Sequence, residues 1–229
     1  MGFIVAIDGP AGSGKGTVTK IIANTLNLIN IDTGATYRCV ALETINKNVK
    51  LEEIDKIVKL LDEIKIEFKR ENGEFKYLLN GEDVTSRIRQ TDVNKIVSQV
   101  SSIPEVRYKM VDLQRKIAEN KDVIMEGRDI GTYVFPNADV KIYLDASVDV
   151  RAKRRYKESL EKGIDVTYEE IYNNIKMRDE NDMNKPIGAL KRAEDAIYVD
   201  TSLLTIDEVS KKLEQIILEE YNKRRWKKY

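Results

Sequence analysis

The 229-residue sequence contains no histidine and a single cysteine, Cys39. Without histidine the chain cannot form a Ser-His-Asp triad, and it lacks the commonest general base and the commonest metal ligand of proteins. One cysteine cannot form a disulfide within the chain, which fits a reducing compartment. Any chemistry must therefore depend on lysine, arginine, acidic side chains and backbone amides.

Net charge, aromatic side chains and long apolar runs are also scarce. The 39 basic residues balance 39 acidic ones, which argues against a protein that coats a polyanion. Aromatic residues make up 7%, too few for a platform that stacks single-stranded nucleic acid. No apolar run approaches the ~20 residues of a membrane span, and the N-terminus lacks a basic signal-peptide segment. We expect a cytoplasmic protein that binds neither nucleic acid nor membranes.

Five short apolar runs predict β-strands, at residues 3–7, 28–31, 122–125, 140–144 and 196–199. They are continuous rather than alternating, as in parallel strands covered on both faces. Helical patterns lie between them, at 17–26, 149–162 and 206–221, and Thr205 with Glu208 predicts a capping box. This alternation predicts an α/β fold. Residues 64–84 instead alternate around Asn72-Gly73 and Asn80-Gly81, which predicts an antiparallel meander inside an insertion.

A glycine-rich run follows the first predicted strand and opens the first helix. It consists of Gly9, Pro10, Ala11, Gly12, Ser13, Gly14, Lys15, Gly16 and Thr17. Its spacing matches the P-loop, in which backbone N–H groups form a nest for phosphates at a helix N-terminus. The alternative is a glycine-rich turn with an incidental lysine. Gly16 stands where a hydroxyl residue is usual, so we expect no direct metal ligand and Mg²⁺ held through water and phosphates near Thr17.

Two further segments lie at the carboxyl ends of predicted strands, where ligands of α/β sheets bind. Residues 31–38 place Thr33 and Arg38 after the second strand, and residues 125–147 place Arg128 and Asp129 after the third. Either segment taken alone could equally be an ordinary loop with a surface arginine or a surface ion pair. A kinase, however, needs a second anion site beside its P-loop.

A third cluster is basic. Arg151, Arg154 and Arg155 fall on one helix face, at i, i+3 and i+4, and Arg178 and Lys185 follow the next loop. Two solvated helices with salt bridges are one interpretation. Beside a P-loop, the cluster predicts a lid at residues 150–185, whose cations neutralise charge on a transferring phosphoryl group. The basic end of the chain, residues 222–229, is interpreted as a solvated terminus.

Five motifs in this order resemble bacterial cytidylate kinases from residue 3 to about 210: IDGPAGSGKGT, DTGATYR, SQVSSIPEVR, EGRDIGTYVFPNADVKIYLDAS and MRDENDMNKPIGAL. The resemblance implies a P-loop kinase fold whose five-stranded parallel core comprises residues 1–35, 121–149 and 186–229. It implies a nucleoside monophosphate domain at 36–120, with the family's insert and its small antiparallel sheet, and the lid at 150–185. The implied reaction is phosphorylation of CMP or dCMP by ATP with Mg²⁺, in pyrimidine nucleotide metabolism. We expect a monomer.

The resemblance also assigns roles to residues. Residues 9–17 would hold the ATP phosphates, and the implied catalytic set is Lys15, Arg128, Arg154, Arg155, Arg178 and Lys185. The implied acceptor site is Thr33, Arg38, Ser98, Arg107, Arg128, Asp129, Arg178 and Asp182. Within it, Arg38 and Arg128 would bind phosphate, Ser98, Arg107 and Asp129 would read cytosine, and Asp182 would meet ribose. Thr33 replaces the family's usual serine, and Lys185 replaces a frequent arginine, which keeps the charge but loses the bidentate fork.

The residue types suit this chemistry. Cytosine offers an exocyclic amine beside ring acceptors, which match a carboxylate and an arginine, whereas uracil would present a carbonyl oxygen to Asp129. The attacking phosphate oxygen is already anionic, so positioning and electrostatic stabilisation suffice without histidine. Two alternatives remain open: a P-loop kinase for UMP or a small alcohol, and a regulatory ATP-binding module without turnover.

Overall fold

The computed structural model describes residues 2–71 and 74–226. The chain divides into two compact units, one of Met1–Asn30 with Asn120–Tyr229 and one of Ile31–Glu119. Two sequence-based expectations lie outside the described residues: the turn at Asn72-Gly73 and the last three residues of the basic tail, 227–229.

The helices and strands alternate through most of the chain. In order they are β1 (Ile4–Asp8), α1 (Lys15–Thr25), β2 (Ile29–Asp32), α2 (Thr33–Asn46), α3 (Ile54–Glu63), β3 (Ile66–Glu71), β4 (Glu74–Leu79), β5 (Glu82–Asp83), α4 (Thr91–Val100), α5 (Pro104–Ala118), β6 (Val123–Gly127), β7 (Val140–Asp145), α6 (Val148–Glu161), α7 (Tyr168–Met183), β8 (Ile197–Asp200) and α8 (Ile206–Trp226). A 3₁₀ turn at Arg87–Arg89 and a π-helical turn at Ile130–Val134 complete the described elements.

The larger sheet has the order β2-β6-β1-β7-β8. β1 pairs in parallel with β6 and β7, and β7 pairs in parallel with β8, so the predicted five-stranded parallel core is confirmed. The register sets Asp8 opposite Gly127 on one side and Tyr143 on the other. The carboxyl ends of β1 and β6 therefore meet at one edge of the sheet, and this edge positions the site described below.

Continuous apolar strands form this sheet because helices cover it. All five residues of β1 are buried. Val5 and Ile7 belong to the same core cluster as Ile22 of α1 and Leu213 of α8. Each fully buried side chain of this kind contributes roughly 1.5–3 kcal/mol. Packing against α1 and α8 therefore explains why this face of the sheet is apolar.

In the second unit, β3, β4 and β5 form the predicted antiparallel meander. The turn at Asn80 and Gly81 has positive φ at both residues, 53° and 89°, as hairpin turns of type I′ require. The core of this unit gathers apolar side chains of α2, α3, α4 and α5 with those of the meander. This arrangement fixes the mutual positions of α2, α4 and α5, which carry the predicted acceptor residues of this unit.

Two helix starts follow the predicted capping chemistry. At α8 the Thr205 hydroxyl accepts from the Glu208 amide, and the Glu208 carboxylate accepts from the Thr205 amide, so the predicted capping box is confirmed. Thr167 and Glu170 cap α7 in the same way. α6 and α7 share a small core of Ala152, Ile171 and Ile175. Among the described helices, none has the length and apolarity needed to cross a membrane.

Candidate active site

The glycine-rich loop, defined here as residues 9–14, joins β1 to α1. Gly9 has φ of 149°, and a Cβ there would lie 1.9 Å from the carbonyl oxygen of Leu144, so only glycine fits. Gly14 caps α1 at φ 92° without a side-chain hydrogen bond, and the first turn of α1 carries no acidic residue. The N–H groups at this helix end are therefore oriented for an anion from outside the helix.

Lys15 is buried against the loop. Its Nζ donates to the carbonyl oxygens of Gly9 and Pro10, both at 2.7 Å, and to Ser13 Oγ at 3.3 Å. Burial and the nearby cations Arg128 and Arg178 together lower the pKa of Lys15 from 10.5 to about 7, although Glu126 and Asp8 raise it in part. Three cations thus lie close to one another, an environment that favours a bound polyanion.

The residue after Lys15 lies beside Glu126. A Cβ at Gly16 would lie 3.2 Å from Glu126 Oε1, so a serine or threonine there would require this carboxylate to shift by a few tenths of an ångström. Thr17, the next residue, is exposed in the first turn of α1. Among the described residues no group of three or more acidic or cysteine side chains could hold a metal ion. These residues fit an Mg²⁺ ion held mainly by phosphate oxygens and water.

Arg128 follows β6 and belongs to a buried ionic cluster. Its Nε donates to Asp182 Oδ2 at 2.8 Å, and Lys185 Nζ lies 2.9 Å from Asp182 Oδ1. Burial raises the pKa of Asp182, but Arg128 and Lys185 outweigh that effect and hold it well below its usual range. One carboxylate therefore orients two predicted phosphate-binding cations.

Asp129 is 4% exposed and stands at the start of the π-helical turn. Its carbonyl oxygen accepts from Tyr133 at 2.8 Å and from Val134 at 3.1 Å. Asp8, at the end of β1, accepts the next two amides of the turn, those of Ile130 and Gly131. Four hydrogen bonds therefore hold the backbone that follows Asp129.

The three arginines of α6 differ in environment despite their common helix face. Arg151 is buried and donates to Ala146 O, Ala11 O and Asp179 Oδ2 at 2.8, 3.0 and 2.6 Å. Arg154 is half-buried and donates to Thr201 O at 2.6 Å, while Arg155 is exposed and lies 3.4 Å from Glu158. Arg151 therefore anchors the glycine-rich loop, whereas the sequence pattern grouped it with Arg154 and Arg155 as a cation of the lid.

In the second unit, Thr33 is the first residue of α2 and is buried, after Asp32, which accepts from the Ala35 amide as N-cap. Arg38, one turn later, donates through NH1 to Asn94 Oδ1 of α4. Asn94 and Ser98 are four residues apart on α4 and so lie on the same face. The structure thus brings Arg38 to the face of α4 that carries Ser98.

Arg107 of α5 is 2% exposed. Its guanidinium carbon lies 5.3 Å from the centre of the Tyr37 ring, and NH1 donates to Ser101 O at 3.3 Å. Two turns later on α5, Gln114 donates to Thr36 Oγ1 at 2.9 Å, and Thr36 in turn donates to Thr33 O at 2.7 Å. The predicted acceptor residues of this unit are therefore tied together through α2.

Each unit gathers its own share of the predicted residues. The first unit brings together Lys15, Arg128, Arg178, Asp182 and Lys185, with Arg155 at the surface; the second connects Thr33, Arg38, Ser98 and Arg107. The sequence analysis missed Asp8, Glu126, Asp179 and Gln114. Asp8, Glu126 and Asp179 lie within the motifs quoted above, so their membership of those motifs was an available signal. Gln114 lies outside them and acts through a distant partner, so the sequence gives no signal for it.

The chain matches the cytidylate kinase family model over residues 5–219. The chain belongs to the cytidylate kinase family. It is 50% identical over 209 residues to a cytidylate kinase of Caldicellulosiruptor saccharolyticus, covering 91% of this chain and 92% of that protein. It is 51% identical over 213 residues to a cytidylate kinase of Lactobacillus johnsonii, covering 93% of each.

The fold is also found in more distant kinases. A gluconokinase from Sinorhizobium meliloti superposes with a TM-score of 0.52 at 12% identity, covering 100% of this chain and 98% of that one. At this identity the likeness concerns the fold alone. The expectation of a P-loop kinase fold in the cytidylate kinase family is therefore confirmed.

Proposed function

We propose that this cytidylate kinase family member transfers the γ-phosphoryl group of ATP to CMP or dCMP, giving ADP and CDP or dCDP. The observation that carries the proposal is the buried Lys15 at the N-terminus of α1, with Arg128 and Arg178 close enough to lower its pKa. Such a concentration of positive charge suits the charge that spreads over the transferring phosphoryl group. The reaction is proposed to occur in the cytoplasm, with the chain acting as a monomer.

The donor half of the mechanism follows from the first unit. We infer that the N–H groups of residues 9–17 and the Nζ of Lys15 bind the ATP phosphates, which then replace the carbonyl oxygens as partners of that lysine. Arg154, Arg155, Arg178 and Lys185 are proposed to neutralise charge on the phosphoryl group. Mg²⁺, bound through phosphates and water near Thr17, would supply additional positive charge.

The acceptor half follows from the roles that the family resemblance assigns. Arg38 and Arg128 are proposed to bind the CMP phosphate, with Thr33 beside them, and Asp182 to bind the ribose. Ser98, Arg107 and Asp129 are proposed to read the cytosine edge. The CMP phosphate oxygen attacks as an anion, so no side chain needs to remove a proton, and the residues' work is to position and to stabilise charge.

The experiment is a coupled ADP-release assay with purified full-length chain, ATP and Mg²⁺, run separately with CMP, dCMP, UMP, AMP and no acceptor. We expect turnover with CMP and dCMP, and Lys15→Ala serves as the inactive control. Equal turnover with UMP would indicate a broader pyrimidine kinase. ADP release without any acceptor would contradict the proposal. The absence of ADP release with every acceptor would contradict it as well.

A further inference from the structure

Asp8 is an acidic residue that neither the proposed donor site nor the proposed acceptor site uses. It ends β1, is 5% exposed, and immediately precedes Gly9 of the glycine-rich loop. Its Oδ1 accepts from the amide of Ile130 at 2.8 Å and its Oδ2 from the amide of Gly131 at 2.7 Å. Both oxygens of one buried carboxylate are thus directed at a segment more than 120 residues away in sequence.

The segment that Asp8 binds is the start of the π-helical turn, Ile130–Val134. The two residues just before it are Arg128 and Asp129, which are proposed to hold the acceptor's phosphate and base. At Gly131 a Cβ would lie 3.4 Å from Asp8 Oδ2 and 3.1 Å from Lys141 Cδ, so a larger residue there would require the Lys141 side chain to shift by a few tenths of an ångström. Charge-assisted hydrogen bonds to two consecutive amides fix the backbone at this point.

We propose that Asp8 is a positioning residue that holds the Arg128–Asp129 pair in register with the glycine-rich loop. Asp8 immediately precedes the loop that is proposed to bind ATP. Its hydrogen bonds hold the two amides that follow Arg128 and Asp129, the residues proposed to bind CMP. In-line transfer needs the two phosphates to be placed accurately, and small misplacements are costly in rate. The inference rests on the proposed function, because it assumes that these two segments bind the two nucleotides.

The bonds depend on the ionised form of Asp8. Burial raises the pKa of Asp8 to about 6, although the two amides and Lys15 lower it in part, and Asp129 raises it slightly. Among its other neighbours, Tyr143 has a pKa raised to about 12 by burial and stays neutral, and Lys141 pairs with Asp195. When Asp8 is protonated, one of its oxygens carries a hydrogen and only the other accepts freely. Below pH 6 the side chain therefore resembles asparagine, which also has a single acceptor oxygen.

The variant Asp8→Asn keeps the shape of the side chain but places an NH₂ group against one of the two backbone amides. That amide then loses its hydrogen-bond acceptor. At pH 8 we expect kcat/KM for CMP to fall by roughly 10- to 100-fold, while the KM for ATP changes less than about twofold. The decisive quantity is the ratio of wild-type to variant kcat/KM from pH 8 to pH 5. Titration of the substrates cancels in this ratio, which we expect to fall several-fold because only about a tenth of Asp8 is ionised at pH 5.

Asp139→Asn is the matched control. Asp139 Oδ2 likewise accepts a backbone amide of β1, that of Ile4 at 2.8 Å, but at the opposite end of the strand. We expect the ratio of wild-type to Asp139→Asn kcat/KM to be constant with pH. A pH-independent ratio for Asp8→Asn, or wild-type kcat/KM in that variant, overturns the positioning role.

If Asp8→Asn does not fold, the wild-type protein still tests the inference. The ¹⁵N-¹H resonances of Ile130 and Gly131 are expected to titrate together with a midpoint near pH 6, and their failure to do so overturns it. The two proposals are distinguishable. A wild-type chain that does not phosphorylate CMP refutes the proposed function, whereas an active wild type matched by Asp8→Asn at every pH refutes only the role of Asp8.

Discussion

Replacement of Arg151 by methionine tests whether a buried ion pair anchors the glycine-rich loop. Arg151 and Asp179 pair at 2.6 Å with side chains only 4% and 7% exposed, and Arg151 also donates to Ala11 O of the loop. Arg151→Met leaves the Asp179 carboxylate buried without its cation. Breaking a buried pair by removing one partner costs about 3–5 kcal/mol, so we expect that loss in the free energy of unfolding.

A second variant separates charge from shape. In Arg151→Met with Asp179→Leu, both charges are gone, and apolar replacements of a buried pair are often nearly neutral. We expect the double variant to recover most of the loss and to lie within about 2 kcal/mol of wild type, the remainder reflecting the carbonyl oxygens of Ala11 and Ala146. Because Ala11 lies in the loop, the KM for ATP is expected to rise in both variants, more than the KM for CMP.

The assay is urea unfolding followed by circular dichroism, with steady-state kinetics under the same buffer conditions. Lys153→Met on the same helix is the control, since its pair with Asp149 is exposed and worth at most about 1 kcal/mol. A loss below about 1 kcal/mol for Arg151→Met, or a double variant no more stable than Arg151→Met, would refute the anchoring argument.

Three further outcomes are expected. Lys15→Ala lowers kcat by at least about 10²-fold with an unchanged circular dichroism spectrum, because the lysine contributes charge rather than core packing; wild-type turnover would exclude the P-loop assignment. Because burial raises the pKa of Asp8 from 3.8 to about 6, its contribution to stability is full well below pH 4 and is lost as the pH rises through 6; relative to Asp8→Asn, wild type loses about 2 kcal/mol between pH 4 and 7 in urea unfolding, and a pH-independent difference would contradict the shift. Thr205→Ala costs about 1 kcal/mol by loss of the α8 capping box, measured by thermal unfolding, and an unchanged midpoint would argue against it.

The sheet was predictable from sequence because its strands are continuous apolar runs between helical patterns. The residues at which strands begin and end were less predictable. β1 was predicted at residues 3–7 but spans Ile4–Asp8, since Asp8 is polar and ends the apolar run although it is buried and paired. The antiparallel meander was predictable because its alternation and its Asn80-Gly81 turn are local signals.

The contacts that organise the site were not predictable in the same way. Arg151 on the basic face of α6 was grouped with Arg154 and Arg155, because helical spacing places all three on one side. Its partners Ala11 and Asp179 are 140 and 28 residues away, and a single sequence carries no trace of such pairings. The same holds for Asp8 and the amides of Ile130 and Gly131. Motifs therefore indicated which residues matter, and tertiary packing decided which residues hold them in place.

The most direct test of the central claim is kcat/KM for CMP and UMP in wild type and in Asp129→Asn. A site that hydrogen-bonds one group rejects a mismatched analogue because buried polar groups are left unpaired. We expect wild type to prefer CMP by about 10²–10⁴-fold, taking roughly 3–5 kcal/mol for the mismatch, and Asp129→Asn to narrow that preference, since an amide can donate to the uracil oxygen. Equal use of CMP and UMP by wild type, or an equal loss for both substrates in Asp129→Asn, would contradict the account.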